Sequence, residues 1–118
     1  MAQILIAEDE DLTRELVRRA LEADGHEVAV AADGSEALEL ANARAFDLVV
    51  TDVEMPNMDG VALAEALIER NPRQRVILMS AIADELSRAR AMLRSGVRVI
   101  TKPVTLEMIR GEVTELLG

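Results

Sequence analysis

Phe46-Asp47-Leu48-Val49-Val50-Thr51-Asp52-Val53-Glu54-Met55-Pro56-Asn57-Met58-Asp59-Gly60 contains an apolar run that stops on a carboxylate. Leu48, Val49 and Val50 are bounded by polar residues and read as a short buried strand, with Asp52 at its C-terminal end. A single Asp in that place is ordinarily a turn former or a helix cap. Here, however, other apolar runs end the same way: Gln3 to Ala7 meets Glu8 and Asp9, Val76 to Met79 meets Ser80, and Val97 to Thr101 meets Lys102 and Pro103. If these runs are parallel strands of one sheet, the polar groups share the edge where open α/β sheets place their sites.

Helical spacing fills the intervals. After the first strand, Asp11 reads as a cap, followed by Leu12, Leu16, Ala20 and Leu21 on one stripe, with a stop near Asp24-Gly25. An edge-like run from Glu27 to Ala31 leads through Asp33 and Glu36, spaced as a capping box, into a helix with Ala37, Leu38 and Ala41; Asp33 is read as structural. A long connection rich in turn formers runs from Asp52 to Gly60, where a helix bearing Leu63, Ala64, Leu67 and Ile68 starts, and Asn71-Pro72 ends it. A fourth helix from about Asp84 turns Leu86, Ala89 and Leu93 inward and stops at Ser95-Gly96. Thr105 caps the fifth, whose inner face is Leu106, Ile109, Val113, Leu116 and Leu117, with Glu107, Arg110 and Glu115 outside. Five strand–helix units imply a doubly wound parallel sheet with helices on both faces and right-handed crossovers.

At 118 residues the chain is expected to be one domain, able to bury roughly two-thirds of its unfolded surface. No apolar run approaches the ~18 residues of a membrane span, and the start lacks the features of a signal peptide, so a cytoplasmic protein is expected, with no membrane partner. The absence of cysteine rules out disulfides, a thiolate nucleophile and cysteine metal clusters. A formal net charge of −9 repels nucleic acid, and Phe46, the only aromatic, cannot form a stacking platform for bases or sandwich a flavin.

Glu8, Asp9 and Asp52 would bring three carboxylates to adjacent strand ends, where like charges need a counter-charge. A hard divalent cation meets that need, and oxygen-only ligands favour Mg²⁺ over zinc. Read the other way, Glu8 to Asp11 form a solvated acidic helix start; this suits Glu10 and Asp11 well and Asp9 less well. Lys102 is the one lysine beside twelve arginines, which suggests a place where a compact point charge is needed rather than a planar guanidinium. Ser80 adds a hydroxyl. Together these groups could hold a phosphoryl group on Asp52, since carboxylates serve as phosphoryl acceptors and such transfer depends on positioning and charge neutralisation.

On Glu8-Asp9, the segment Asp52 to Gly60, Ser80-Ala81 and Lys102-Pro103, the sequence resembles the receiver domain of two-component response regulators from Gln3 to Leu117. The resemblance implies a flavodoxin-like (βα)5 receiver fold over 1–118 with strand order 2-1-3-4-5 and no output domain. It implies that Asp52 accepts phosphate from a histidine kinase or a phosphotransfer protein. Asp9, Asp52 and the Glu54 backbone carbonyl would ligate Mg²⁺, Glu8 would act through water, and Ser80 and Lys102 would contact the phosphoryl oxygens. Such a chain is not an enzyme on a separate substrate; it catalyses only its own phosphorylation and dephosphorylation. Two positions depart from the family pattern: Val99 stands where an aromatic rotamer usually reports phosphorylation, and Val104 where Phe is common. The Glu54 side chain lies at a position the family varies to tune phosphate lifetime.

The reading is of a single-domain switch, a monomer or weak dimer, whose downstream partner binds the face made by the fourth helix, fifth strand and fifth helix, where Arg88, Arg90, Arg94 and Arg98 cluster in sequence. The loop from Ala81 to Ala83 would carry the signal. A phosphorelay shuttle, a phosphate-independent adaptor and a flavodoxin-like redox protein are the competing readings. His26, ahead of the second strand, is expected at the far end of the sheet from Asp52.

Overall fold

The computed structural model describes residues 1–92 and 96–118. Leu93, Arg94 and Ser95, assigned above to the fourth helix, the arginine group and the turn after them, lie outside the described residues. Strands β1 (Gln3–Ala7), β2 (Glu27–Ala31), β3 (Leu48–Asp52), β4 (Arg75–Ser80) and β5 (Val97–Thr101) form one parallel sheet in the order β2-β1-β3-β4-β5. Helices α1 (Asp11–Ala23), α2 (Gly34–Ala43), α3 (Gly60–Arg70), α4 (Ala83–Arg90) and α5 (Leu106–Leu117) alternate with them. In parallel register Ile4 pairs with Leu48 and Val49 with Val76, so the strand ends are held level across the sheet.

Period-two alternation divides the core between two faces. Ile4, Ile6, Leu48, Val50, Ile77, Met79 and Ile100 point to one side, where Val17 and Leu21 of α1 and Ile109 and Val113 of α5 cover them. Leu5, Ala7 and Val49 point to the other, under Ala37 and Ala41 of α2 and Leu63 and Leu67 of α3. Val76, Leu78 and Val97 extend that second face beneath Val61, Ala64 and Ile68 of α3 and Ala89 of α4. The central strands β1 and β3 are buried on both faces, which is why they read as unbroken apolar runs.

The caps follow the short polar side chains. Asp33, Asp59 and Thr105 each accept a hydrogen bond from a backbone N–H in the first turn of α2, α3 and α5. Elsewhere the sequence reading is corrected. Asp11 is the first residue of α1, not its cap; Glu10 holds that place without a side-chain bond. Leu12 is 68% and Leu16 43% exposed, so of the stripe assigned to α1 Leu21 is buried as expected, while Val17, outside that stripe, is buried in place of the first two. Two rows on this helix have apolar spacing, and packing against α5 and β1 selects Val17 and Leu21. Leu106, at the first position of α5, is also exposed. His26 lies where expected, ahead of β2, with its Nδ1 accepting from the Ala2 N–H at 3.2 Å. Among the described residues no helix is long and apolar enough to cross a membrane.

Candidate functional site

β1, β3, β4 and β5 end on Ala7, Asp52, Ser80 and Thr101, so Glu8, Asp52, Ser80 and Lys102 lie along one edge of the sheet. The backbone joins them directly: the Lys102 N–H donates to the Ser80 carbonyl at 2.9 Å and the Val53 N–H to the Met79 carbonyl at 2.9 Å. Glu8 continues the inward row of Ile4 and Ile6 and is buried; Asp9, one residue on, is exposed. Carboxylate oxygens of Glu8, Asp9 and Asp52 nevertheless all lie within 4.8 Å of one another.

Two glycines let the chain close in around Asp52. A Cβ on Gly60 would stand 2.2 Å from the Asp52 carbonyl oxygen, and one on Gly34 would stand 2.0 Å from that of Met58. Only glycine permits such close backbone approach. The segment 53–59 is thereby pressed against the start of α2, where Asn57 Nδ2 donates to Asp33 Oδ2 at 2.7 Å and Asn57 takes φ 69°. Asp33 is structural, as the capping pattern suggested, and it also anchors this loop.

The electrostatics are dominated by burial. Asp52 is 3% exposed. Desolvation raises its carboxyl above the ordinary range, Glu54 and Asp9 add to the rise, and Lys102 offsets it only in part. Burial likewise pushes Glu8 up to about 7; the Glu10 N–H, which donates to Glu8 Oε2 at 3.1 Å, opposes this, while Asp52 and Asp9 reinforce it. Burial pulls Lys102 down, but Asp52, Glu8 and Glu54 outweigh it and the net direction is up. Lys102 Nζ lies 2.6 Å from Asp52 Oδ1, yet that oxygen accepts no aligned hydrogen bond. The contact is a close ion pair whose geometry is poorly aligned for a hydrogen bond.

The oxygen-rich donor set, an Asp52 Oδ1 without an aligned hydrogen bond and carboxyls raised first by burial and then by one another suit a hard divalent cation. Beside the acids, a cavity of about 320 Å³ opens between the start of α1 and the segment after β5, lined by Thr13, Met79, Pro103 and Val104 among others. The Lys102–Pro103 peptide bond is cis.

Sequence reasoning missed several contacts here. The Ser80 hydroxyl donates to Glu54 Oε2 at 2.5 Å, although Glu54 was expected to act through its backbone carbonyl or on phosphate lifetime. Arg14 Nη1 donates to the Glu8 carbonyl at 2.8 Å, with no sequence signal beyond an arginine one turn into α1. Gly60 had a signal: glycine is a poor opening residue for a helix unless something must pass close to it.

Among the described residues of the arginine group, Arg88, Arg90 and Arg98 each have a partner at the surface. Arg88 pairs with Glu85 at 2.5 Å and with Asp59 at 3.2 Å, and Arg98 pairs with Glu112 at 3.2 Å and Glu115 at 3.3 Å. Arg90 meets the Thr101 hydroxyl at 3.5 Å. Val99 is half-buried against the α3–α4 side of the core, and Val104 against the α1–α5 side.

Comparison with known proteins agrees with this arrangement. The family model described as the response regulator receiver domain matches residues 4–114. The chain is 34% identical over 113 residues to the sensor protein EvgS of Escherichia coli (strain K12), covering 96% of this chain but spanning only 9% of that protein's length. It is 30% identical over 117 residues to the response regulator receiver protein CpdR of Brucella abortus (strain 2308), covering 99% of this chain and 98% of the relative. Among solved structures, the response regulator protein TrrA from Thermotoga maritima in complex with Mg²⁺-BeF superposes with a TM-score of 0.85 at 28% identity, over 98% of this chain and 99% of that one.

Proposed function

The chain belongs to the response regulator receiver domain family, and from that premise we propose that it is a phosphorylation switch in which Asp52 takes a phosphoryl group from the phosphohistidine of a sensor kinase or phosphotransfer protein. The observation that carries this reading is the buried Asp52 carboxylate, which has an oxygen without an aligned hydrogen bond and stands among Lys102, Ser80, Glu8 and Asp9. In the proposed step an Asp52 oxygen attacks phosphorus, the bond from phosphorus to the donor imidazole nitrogen breaks, and its electron pair leaves on that nitrogen. Lys102 neutralises charge on the transferring group, and the Ser80 hydroxyl donates to one of its oxygens. No separate substrate is turned over.

Asp9 and Asp52, with the Glu54 backbone carbonyl, are the proposed Mg²⁺ ligands, and Glu8 acts through water. When bound, the ion neutralises charge between the acceptor carboxylate and the incoming phosphoryl group. Support comes from the Mg²⁺-BeF complex of TrrA, which has the same fold. Output is proposed to pass to a partner protein over α4, β5 and α5, with Arg90 the arginine there whose described contact is a neutral hydroxyl. The likeness to part of a sensor protein favours a second reading, a relay that hands phosphate on to a histidine.

Acetyl phosphate with Mg²⁺ should give one phosphate adduct by intact mass. Asp52→Asn and excess chelator should each abolish it. An adduct that persists in either case overturns the assignment, and migration of label from Asp52 to a histidine phosphotransfer protein would favour the relay.

A further inference from the structure

Ser80 is fully buried at the end of β4, and its hydroxyl is already engaged on both sides. It donates to Glu54 Oε2 at 2.5 Å and accepts from the Ile82 backbone N–H at 3.2 Å. Glu54 follows the acceptor by two residues, and Ile82 is the N-cap residue of α4, a helix with no side-chain cap of its own. One hydrogen-bonded chain therefore links the loop behind Asp52 to the start of α4. A serine hydroxyl has a single proton to donate. While that proton is held by Glu54, it cannot serve an anion on Asp52.

We propose that the Glu54 carboxylate is an internal competitor for the Ser80 hydroxyl, holding in the resting chain the donor that an anionic group on Asp52 requires. The inference rests on the reading of Asp52 as the acceptor. A carboxylate is a strong rival for that donor, because hydrogen bonds to ionised acceptors are roughly twice as strong as neutral ones. It also carries the same sign of charge as the arriving group, so the two cannot share the hydroxyl at close range. Lys102 feels the fields of both Asp52 and Glu54, which puts the Glu54 charge within reach of the same counter-ion. Release of Glu54 frees the hydroxyl to turn toward Asp52 and alters the bond to the Ile82 N–H at the head of α4. Glu54 is thus a positioning residue: it sets how firmly the site holds an anion while the acceptor atom stays the same.

The test is a beryllofluoride titration at saturating Mg²⁺, read by backbone amide shifts, on full-length wild type, Glu54→Ala, Ser80→Ala and the double variant. Glu54→Ala should tighten apparent binding about tenfold, and in the free protein the Ile82 amide should move toward its bound position. Glu54→Gln, which keeps an acceptor and loses the charge, should fall between. In the Ser80→Ala background the gain from Glu54→Ala should largely vanish, because no hydroxyl is left to contest. Binding by Glu54→Ala changed by less than about twofold overturns the proposal. So does a gain undiminished without Ser80, which would assign the effect to simple repulsion. If beryllofluoride binds to none of these chains, the acceptor reading itself fails and takes the competitor with it.

Discussion

The two ends of the sheet are built from the same kinds of residue and treat them oppositely. At the N-terminal end, the Gln3 N–H donates to Asp47 Oδ2 at 2.7 Å, Gln3 Nε2 donates to Glu27 Oε2 at 2.5 Å, and buried Gln74 donates to the Phe46 carbonyl at 3.2 Å. Asp24 is held by Arg110 at 2.6 Å and its carboxyl lies below the ordinary range, first because of that hydrogen bond. At the C-terminal end Glu8 and Asp52 are buried, raised by desolvation, and share one lysine. Charges at the first end hold strands and helices in register; charges at the second repel one another. Natural sites commonly keep such unfavourable groupings because function needs them.

Several measurements would sharpen or break that contrast. The largest effect is expected at Lys102. Lys102→Ala should slow acetyl phosphate labelling by roughly 10²–10³-fold, the usual result of removing a preorganised charge from a reacting centre. Arg110→Ala, which removes a cation from the other end, should leave labelling unchanged. Equal slowing in both variants would mean that the ends are not functionally distinct. Labelling is best followed by mass, since Phe46 is the only aromatic.

Neutralising an acid should also have opposite effects at the two ends. Without metal, Glu8→Gln should raise the melting temperature by roughly 4 °C, and Asp9→Asn should raise it by less, because Asp9 is exposed and contributes the smaller share of the crowding. Mg²⁺ should stabilise wild type by mass action and Asp9→Asn much less. A fall in the metal-free melting temperature of Glu8→Gln would show that the carboxylates are not in conflict.

The pH dependence carries the same signature. Glu8 has a folded pKa of about 7 against 4.5 unfolded, so between those values the folded chain binds more protons than the unfolded one. Its contribution to stability is fully present below pH 4.5 and is lost as pH rises through about 7. Asp24, whose folded pKa is lowered from 3.8, works in the opposite sense: its contribution is present above that value and is lost as pH falls. Metal-free wild type should therefore lose melting temperature from pH 5 to about pH 7.5, and Glu8→Gln should flatten that slope. Arg110→Ala should alter only the acid limb.

The smallest effect is expected at Asp47. Asp47→Asn weakens the acceptor for the Gln3 N–H and should cost about 0.5–1 kcal/mol in denaturant unfolding, with labelling unchanged. A change in labelling would mean that strain at one end of β3 reaches the other.

Much of this was legible from local pattern. The strand spans of β1, β2 and β5 match their apolar runs, and the caps Asp33 and Thr105 match their short polar side chains, because both signals depend on neighbours within a few residues. The failures were of another kind. Leu12 and Leu16 have the same helical spacing as a buried row yet lie in solvent, and nothing near Glu54 in the sequence points to the Ser80 hydroxyl from which it accepts.

Local apolar periodicity accounts for the alternation of five strands and helices, and with it the single edge on which Glu8, Asp52, Ser80 and Lys102 meet, since parallel strands that each end on a polar group must expose those groups together. Tertiary structure alone decided which row of α1 is covered, that Glu54 turns to Ser80, and that Glu8 is raised to about 7. Those outcomes depend on which distant side chains exclude water or offer a hydrogen-bond partner, and neither solvent exclusion nor a partner across the fold is encoded in the spacing of residues along one segment.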